Sequence, residues 1–248
     1  MHLTNKKMMA MALSAVCLLA LAACGPNEQR RAELAELKRI ECLDKFCAGD
    51  IEPKRDYATD ALLKFNGQWY IGPKEYFSSG INGASFNWWA HQPSPLSKLS
   101  PEIQAKAVEH NVAIFLRGKH RWPDPKSTSP WSRTWEQAIE SKRAEGKYIE
   151  QEVLGPGLDE YRQFRTKGGN LETIYYAATQ RKRIRGDGPP IAFCLNEPPG
   201  HYSNCAAAEF WQPDIYADFQ FSAKDAKDWP EIHQEIVRVL NLLQKVQP

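Results

Sequence analysis

The chain has 248 residues, of which 42% are hydrophobic, 11% aromatic and 25% charged, so it can fill a core and is not a disordered protein. It carries 32 Lys and Arg against 30 Asp and Glu, and two of the basic residues, Lys6 and Lys7, lie in an apolar N-terminal segment. Residues 24–248 therefore carry 30 charges of each sign. This balance excludes the basic excess that is typical of a nucleic-acid-binding domain.

The first 23 residues have the pattern of a secretory signal peptide. Lys6 and Lys7 precede an apolar run from Met8 to Leu21, and the small residues Ala22 and Ala23 follow it. The run is shorter than the about 20 apolar residues that a membrane-spanning helix needs. We therefore expect this segment to direct export and to be removed.

The string Leu21-Ala22-Ala23-Cys24-Gly25 resembles the bacterial lipobox, in which the cysteine becomes the lipidated first residue of the mature protein. A plain signal peptide with an incidental cysteine is the alternative. Because Gly25 and not Asp follows Cys24, the resemblance implies sorting to the outer membrane, with the protein held in the periplasm on its inner leaflet. We predict a signal peptide over 1–23, a lipidated tether over 24–31 and a globular domain over 32–248.

Four cysteines remain once Cys17 and Cys24 are set aside, namely Cys42, Cys47, Cys194 and Cys205. An even number in an oxidising compartment indicates two disulfides. Of the three connectivities we prefer the two local ones, which join the first two cysteines and the last two. A zinc site is the alternative, but the spacing fits no usual zinc motif, and we expect no metal and no other cofactor.

The first half of the chain mixes helical and strand patterns. Leu34, Leu37 and Ile40 recur at a spacing of three among helix formers, which predicts a helix over 28–41. Asn66-Gly67 supplies the pair of positive φ angles of a type I′ turn and predicts a hairpin over 63–71. We further expect strands over 84–89 and 112–116, a helix over 101–110, and loops over 90–101 and 117–131.

The second half is predicted to be richer in strands. We expect helices over 132–145 and between Gly157 and Gly168, and strands over 172–177, 191–195, 206–211 and 214–221. The chain closes with an amphipathic helix that Asp228 caps and Lys245 complements at its C-terminal end; its stripe is Trp229, Ile232, Ile236, Val239, Leu240 and Leu243. The sequence predicts one α+β domain with an antiparallel sheet and flanking helices.

No catalytic motif is recognisable in the sequence. It lacks a Gly-x-Ser-x-Gly elbow, a His-Glu-x-x-His pair and a phosphate-binding glycine loop, and its mature histidines are scattered: His91, His110, His120, His201 and His233. We name no catalytic residue and expect a protein that is not an enzyme. A catalytic group assembled only in space stays open, since triads are recognised by geometry.

Three surface features are candidates for binding. The first is a proline-stiffened loop with residue types enriched at interface hot spots, and it supplies our predicted partner-binding residues Lys119, His120, Arg121, Trp122, Asp124 and Trp131. The alternative is that its two tryptophans fold back to pin the loop. The second is the basic run Arg181–Arg185, which suits an acidic partner or anionic lipid unless it is a solvated turn. The third, Phe86 with Trp88 and Trp89, we expect in the core.

Three strings together resemble a family of Gram-negative lipoproteins that act as immunity proteins against type VI secretion lipase effectors of the phospholipase D type. They are Glu41–Cys47, Asn66–Pro73 with Tyr76 and Phe77, and Asp228–Ile232. The resemblance runs from Cys24 to the C-terminus and rests on structural motifs, so it transfers no interface residue. It implies a lipid-anchored periplasmic protein that binds and occludes a cognate phospholipase effector. The alternatives are a non-enzymatic envelope lipoprotein that binds lipid or cell wall, and a periplasmic hydrolase.

Overall fold

The computed structural model describes residues 28–79, 82–118, 135–195 and 204–248, with residues 135–138 described by their backbone alone. The chain divides into two compact units, Met1–Cys42 and Leu43–Pro248. In the first unit, residues 28–41 form helix α1, as predicted, and Leu34 and Leu37 are exposed by 51% and 59%. None of the helices in the described ranges is both long and apolar enough to cross a bilayer.

The described residues of the second unit form two antiparallel sheets. The small sheet has the strand order β1-β2-β13, with β1 Asp60–Phe65, β2 Gln68–Pro73 and β13 Gln244–Val246. The large sheet has the order β3-β4-β6-β12-β11-β10-β9-β8-β7, and β5 pairs with β4. Its strands are β3 Phe77–Ser78, β4 Gly83–Trp89, β5 Gln92–Ser94, β6 Asn111–Gly118, β7 Tyr148–Gly155, β8 Leu158–Phe164, β9 Leu171–Ala177, β10 Ile191–Leu195, β11 Asn204–Gln212 and β12 Ile215–Ser222.

In the described ranges three further α-helices accompany these sheets, and the α+β class that we predicted is confirmed. They are α2 Pro101–Ala107, α3 Trp135–Ala144 and α4 Trp229–Leu240. Helix α2 is shorter than predicted because the chain tightens into a 3₁₀ turn over Val108–His110. Part of the predicted loop over 90–101 is β5 and a 3₁₀ turn over Leu96–Lys98.

The predicted hairpin over 63–71 is confirmed as the β1–β2 pair. Asn66 and Gly67 have φ angles of 48° and 73°, the two positive values that a type I′ turn requires. Phe65 and Gln68 close the ladder on either side of this turn. The turn sequence therefore sets the register of the small sheet.

The main core lies between α4 and one face of the large sheet. In β12, Ile215, Ala217, Phe219 and Phe221 are all buried, which confirms the alternation read from the sequence. The predicted apolar stripe of α4 is likewise buried, and Trp229 stacks on Phe221 with ring centroids 5.3 Å apart. Phe86 and Trp88 lie in the same cluster, as predicted, whereas Trp89 is half-buried.

Asp228 is the N-cap residue of α4, as predicted, but its side chain does not cap the helix, and the predicted role of Lys245 at the C-terminal end is wrong. A 3₁₀ turn over Ala223–Asp228 leads into the helix, and the Asp228 side chain makes no capping hydrogen bond. Its Oδ2 atom instead accepts from Trp88 Nε1 at 2.7 Å. Lys245 lies in β13 opposite Tyr70, so it is beyond the last turn of the helix.

The short helix predicted between Gly157 and Gly168 is also wrong, because this segment is strand β8. The Gly155-Pro156-Gly157 turn, with φ of +89° at Gly157, joins β7 to β8. Strand β8 pairs with both β7 and β9 and buries residues that point to both sides of the sheet. A strand buried on two faces lacks the simple alternation that would have distinguished it from a helix.

Candidate interaction surface

The residues of the first resemblance string have a structural role centred on Asp44. This carboxylate is 6% exposed, and it accepts from the backbone N–H groups of Asn66 at 2.8 Å and Gly118 at 3.1 Å. Asn82 donates to the backbone carbonyls of Asp44 and Lys64. The string therefore fastens the β1–β2 turn to the end of β6.

The disulfides agree with the predicted local connectivity. Cys194 in β10 lies directly opposite Cys205 in β11, and the two are bonded with Cα atoms 4.1 Å apart. Cys42 and Cys47 are also disulfide-bonded. Because disulfides persist in oxidising compartments, these bonds support an extracytoplasmic location.

The basic run Arg181–Arg185 is part of the connection between β9 and β10, and a buried glutamate binds its backbone. The Ile184 N–H donates to Glu209 Oε2 at 2.6 Å, and Glu209 Oε1 lies 3.1 Å from His233 Nε2 on α4. The Glu209 and His233 side chains are each 3% exposed. Only Lys182 and Arg185 in the run are exposed, and the other three residues are half-buried, so its first role is structural.

The other two histidines in the described ranges also pair with carboxylates. His91 Nδ1 lies 2.5 Å from Asp228 Oδ2, and His110 Nδ1 lies 2.8 Å from Asp225 Oδ1. The hydrogen bond with Asp228 raises the pKa of His91, whereas burial raises the pKa of Asp225 although His110 opposes that shift. These pairs fasten the β4–β5 turn and the 3₁₀ turn after α2 to the segment before α4.

Among the residues that the structure describes, no three His, Cys, Asp or Glu side chains are grouped as metal ligands would be. Each described imidazole is held by one carboxylate, an arrangement that orients a ring and links two segments. His120 and His201 lie outside the described residues. In the described residues, each of these histidines therefore links two segments of the fold.

Strand β7 lies at one end of the large sheet and is its longest edge strand in the described residues. It pairs with β8 on one side, and its four central residues, Glu150, Gln151, Glu152 and Val153, are all exposed. Side chains that point to both faces of the sheet are therefore in water. A long exposed edge strand offers unpaired backbone donors and acceptors, which makes it a template for another chain.

One face of the β7 edge is acidic. Glu150, Glu152 and Arg162 together line a shallow depression with Gln151. Arg162 Nε lies 2.5 Å from Glu160 Oε1, and its Nη2 lies 3.2 Å from Glu152 Oε2. One guanidinium thus serves two carboxylates, and the neighbouring Glu150 carboxylate projects into solvent.

Sequence reasoning did not identify this edge. The alternation of Ile149, Gln151 and Val153 with Glu150 and Glu152 is a strand signal, and it was the feature available in the sequence. That β7 is terminal depends on strand order, which no local pattern encodes. The predicted loop residues Lys119, His120, Arg121, Trp122, Asp124 and Trp131, and the lipidation residue Cys24, lie outside the described residues.

The sequence matches no protein-family model and no curated protein. Among solved structures it is similar to Smlt3025, an immunity protein of the Stenotrophomonas maltophilia type IV secretion system. The similarity covers 75% of this chain and 94% of that chain, at 14% identity and a TM-score of 0.42. Such a similarity assigns neither family nor function, so the proposals that follow rest on the residues and geometry of this chain.

Proposed function

We propose that the chain is a periplasmic immunity protein, lipid-anchored through Cys24, that binds and occludes a phospholipase effector of a type VI secretion system. The observation that carries the proposal is the exposed edge strand β7 on a disulfide-bonded sheet, because it is a surface suited to another protein. The lipobox-like string around Cys24 and the resemblance of the three motifs support the same function.

The anchor is physically suited to this role. A phospholipase that reaches the periplasm attacks the bilayer, so its inhibitor is needed at that surface. Each buried CH₂ of an acyl chain contributes about 0.8 kcal/mol, and more than one chain gives stable attachment. Holding the inhibitor beside the substrate raises its effective concentration toward the enzyme without any new contact.

Occlusion needs a complementary surface and no chemistry of its own. A stable interface buries about 1,200–2,000 Å² in total. An eight-residue edge strand is about 27 Å long, since a strand rises about 3.4 Å per residue. Strand β7 and the side chains beside it therefore supply a substantial part of such an interface.

The direct test looks for a phospholipase gene beside the gene of this protein and mixes the two purified proteins. We expect hydrolysis of phospholipid vesicles to fall to background near an equimolar ratio, because one bound copy covers one active site. An unrelated phospholipase of the same class serves as the control and should keep its activity. Undiminished hydrolysis at a tenfold excess of this protein would reject the immunity function and favour an envelope lipoprotein.

Lipidation at Cys24 is tested separately, by the incorporation of labelled palmitate. Wild-type protein should incorporate label and sediment with outer membranes, and Cys24→Ser should lose both properties while remaining folded. Cys17→Ser is the matched control, since it alters the other cysteine of the N-terminal segment and should still be labelled. Label retained in Cys24→Ser would reject lipidation at this residue.

A further inference from the structure

The backbone of β7 has one side available for pairing. Its register with β8 is continuous from Tyr148 opposite Phe164 to Val153 opposite Asp159. In the described part of the chain no strand pairs with its other side. Alternate N–H and C=O groups along that side point outward, which is the geometry used when an extended peptide adds to a sheet.

The two faces of this edge differ in chemistry. Side chains alternate between faces, so Glu150 and Glu152 project on the same side as Glu160 and Arg162. At the exposed edge that face presents the carboxylates of Glu150 and Glu152, because Glu160 is buried and paired with Arg162. The opposite face carries Ile149, Gln151 and Val153, and Val153 is 69% exposed.

These faces define what an added strand must carry. Directly opposite side chains on one face of an antiparallel pair interact by roughly 0.2–1 kcal/mol, and opposite charges are favourable. Lys or Arg at alternate positions would therefore meet Glu150 and Glu152. The residues that alternate with them would lie opposite Ile149, Gln151 and Val153, and those nearest the exposed Val153 should be apolar.

The same charges disfavour a second copy of this chain. An antiparallel β7–β7 pair centred on Gln151 places Glu150 of each copy opposite Glu152 of the other. Centring the pair on Glu150 or Glu152 places that carboxylate opposite itself. Like charges directly opposite are destabilising, so the edge is protected against self-pairing and open to a basic strand.

We propose that β7 docks an extended segment of a partner protein by strand addition, and that this segment alternates basic residues with apolar ones. The inference rests on the proposed function only for the identity of that partner. The basic side chains pair with Glu150 and Glu152 on one face, and the apolar ones pack beside Val153 on the other.

The first experiment uses a defined probe, a capped nine-residue peptide that alternates lysine with valine. Titrated into the ¹⁵N-labelled full-length protein, it should shift and protect the amides of residues 148–155. The same peptide with glutamate in place of lysine should bind at least about tenfold more weakly, since two favourable pairs become repulsive. Equal binding of the two peptides, or a response confined to other residues, would overturn the proposal.

Variants of the edge supply the second arm. Glu150→Lys with Glu152→Lys should reverse the preference and bind the glutamate peptide more tightly than the lysine peptide. Glu150→Gln with Glu152→Gln tests the same charges with a milder change, and should lower affinity for the lysine peptide severalfold. Glu102→Lys, at an exposed position on α2, is the matched control and should behave as wild type.

The third arm separates this inference from the immunity function. If wild-type protein inhibits the neighbouring phospholipase and both edge variants inhibit it equally well, the function stands and the docking site is wrong. If wild-type protein fails to inhibit but still binds the lysine peptide through 148–155, the function is wrong and the docking site stands. A wild-type dimer that protects the β7 amides would identify a second copy as the occupant and overturn the proposal.

Discussion

Strands β12 and β7 belong to the same sheet and have opposite surroundings. Strand β12 lies between β11 and β6, and its residues Ala217 and Phe219 are fully buried beneath α4. Strand β7 ends the sheet, and four consecutive residues are exposed. The two strands therefore have different roles: the interior of the sheet supplies stability, and the terminal strand β7 supplies an accessible surface.

The difference has a simple physical origin. Burying apolar surface contributes about 25 cal/mol per Å², and this contribution concentrates where a helix covers the sheet. The four central residues of β7 are exposed, so their charged side chains stay hydrated and little free energy depends on them. Changes in the covered region should therefore alter unfolding, and changes at β7 should alter binding.

The substitution Trp229→Ala should have the largest effect on the free energy of unfolding. The ring is fully buried, stacks on Phe221 and donates from Nε1 to the carbonyl of Pro190 at 3.0 Å. Its removal leaves a cavity, and we expect the free energy of unfolding to fall by about 3–5 kcal/mol in urea titrations followed by circular dichroism. Val153→Ala in β7 is the control. A loss below about 1 kcal/mol for Trp229→Ala would contradict the claim that the covered interior of the sheet supplies the stability.

Asp44→Ala tests whether the first resemblance string is structural. Two backbone N–H groups, of Asn66 and Gly118, would lose their carboxylate acceptor. We expect a loss of about 2–3 kcal/mol in the same unfolding assay, since a buried donor left without a partner is costly. Asp44→Asn keeps one acceptor oxygen and should lose less. Normal stability with weakened partner binding would instead assign Asp44 to the interface.

Two glycines allow the comparison to be made with one type of substitution. A Cβ atom on Gly72 in β2 would lie 2.6 Å from Phe77 Cδ2 and 2.9 Å from Leu243 Cδ2, whereas one on Gly155 in β7 would meet nothing within 4 Å. Gly72→Ala should therefore cost about 1–3 kcal/mol by overpacking. Gly155→Ala should change stability by less than about 0.5 kcal/mol. Equal effects at the two sites would remove the contrast between them.

The sequence was most informative where one face of an element is buried. The stripe of α4 and the alternation of β12 both repeat with a period that a local pattern reveals, and both were predicted correctly. Strand β8 was read as a helix, because burial on both faces removes the period of two.

The candidate site was less predictable than the fold around it. A local pattern can indicate that residues 148–153 form a strand, but its place at the end of the sheet depends on pairings between distant segments. The Asp228 side chain shows the same limit, since a sequence suggests a helix cap and cannot reveal the competing donor on Trp88. Non-local contacts decided both cases.

The substitution His91→Gln tests the pair of His91 with Asp228 through the pH dependence of stability. The hydrogen bond with Asp228 raises the pKa of His91, so the folded state holds this proton more tightly than the unfolded state. The resulting stabilisation is complete below about pH 6.5 and is lost as the pH rises through the raised pKa. Thermal unfolding at pH 5.5, 7 and 8.5 should show the variant less stable than wild type at pH 5.5, with the difference shrinking toward pH 8.5. A difference that is constant with pH would assign His91 a role that does not depend on its charge.

The smallest effect on stability is expected at the edge itself. Glu152 and Arg162 are about half exposed, and such ion pairs contribute about 0–1 kcal/mol, while Glu150 projects into solvent. Glu150→Gln with Glu152→Gln should therefore leave the midpoint of urea unfolding close to that of wild type, measured beside Trp229→Ala as the opposite extreme. If the double variant instead unfolds as readily as a core variant, β7 belongs to the stabilising part of the sheet, and its charges are held for folding and not for a partner.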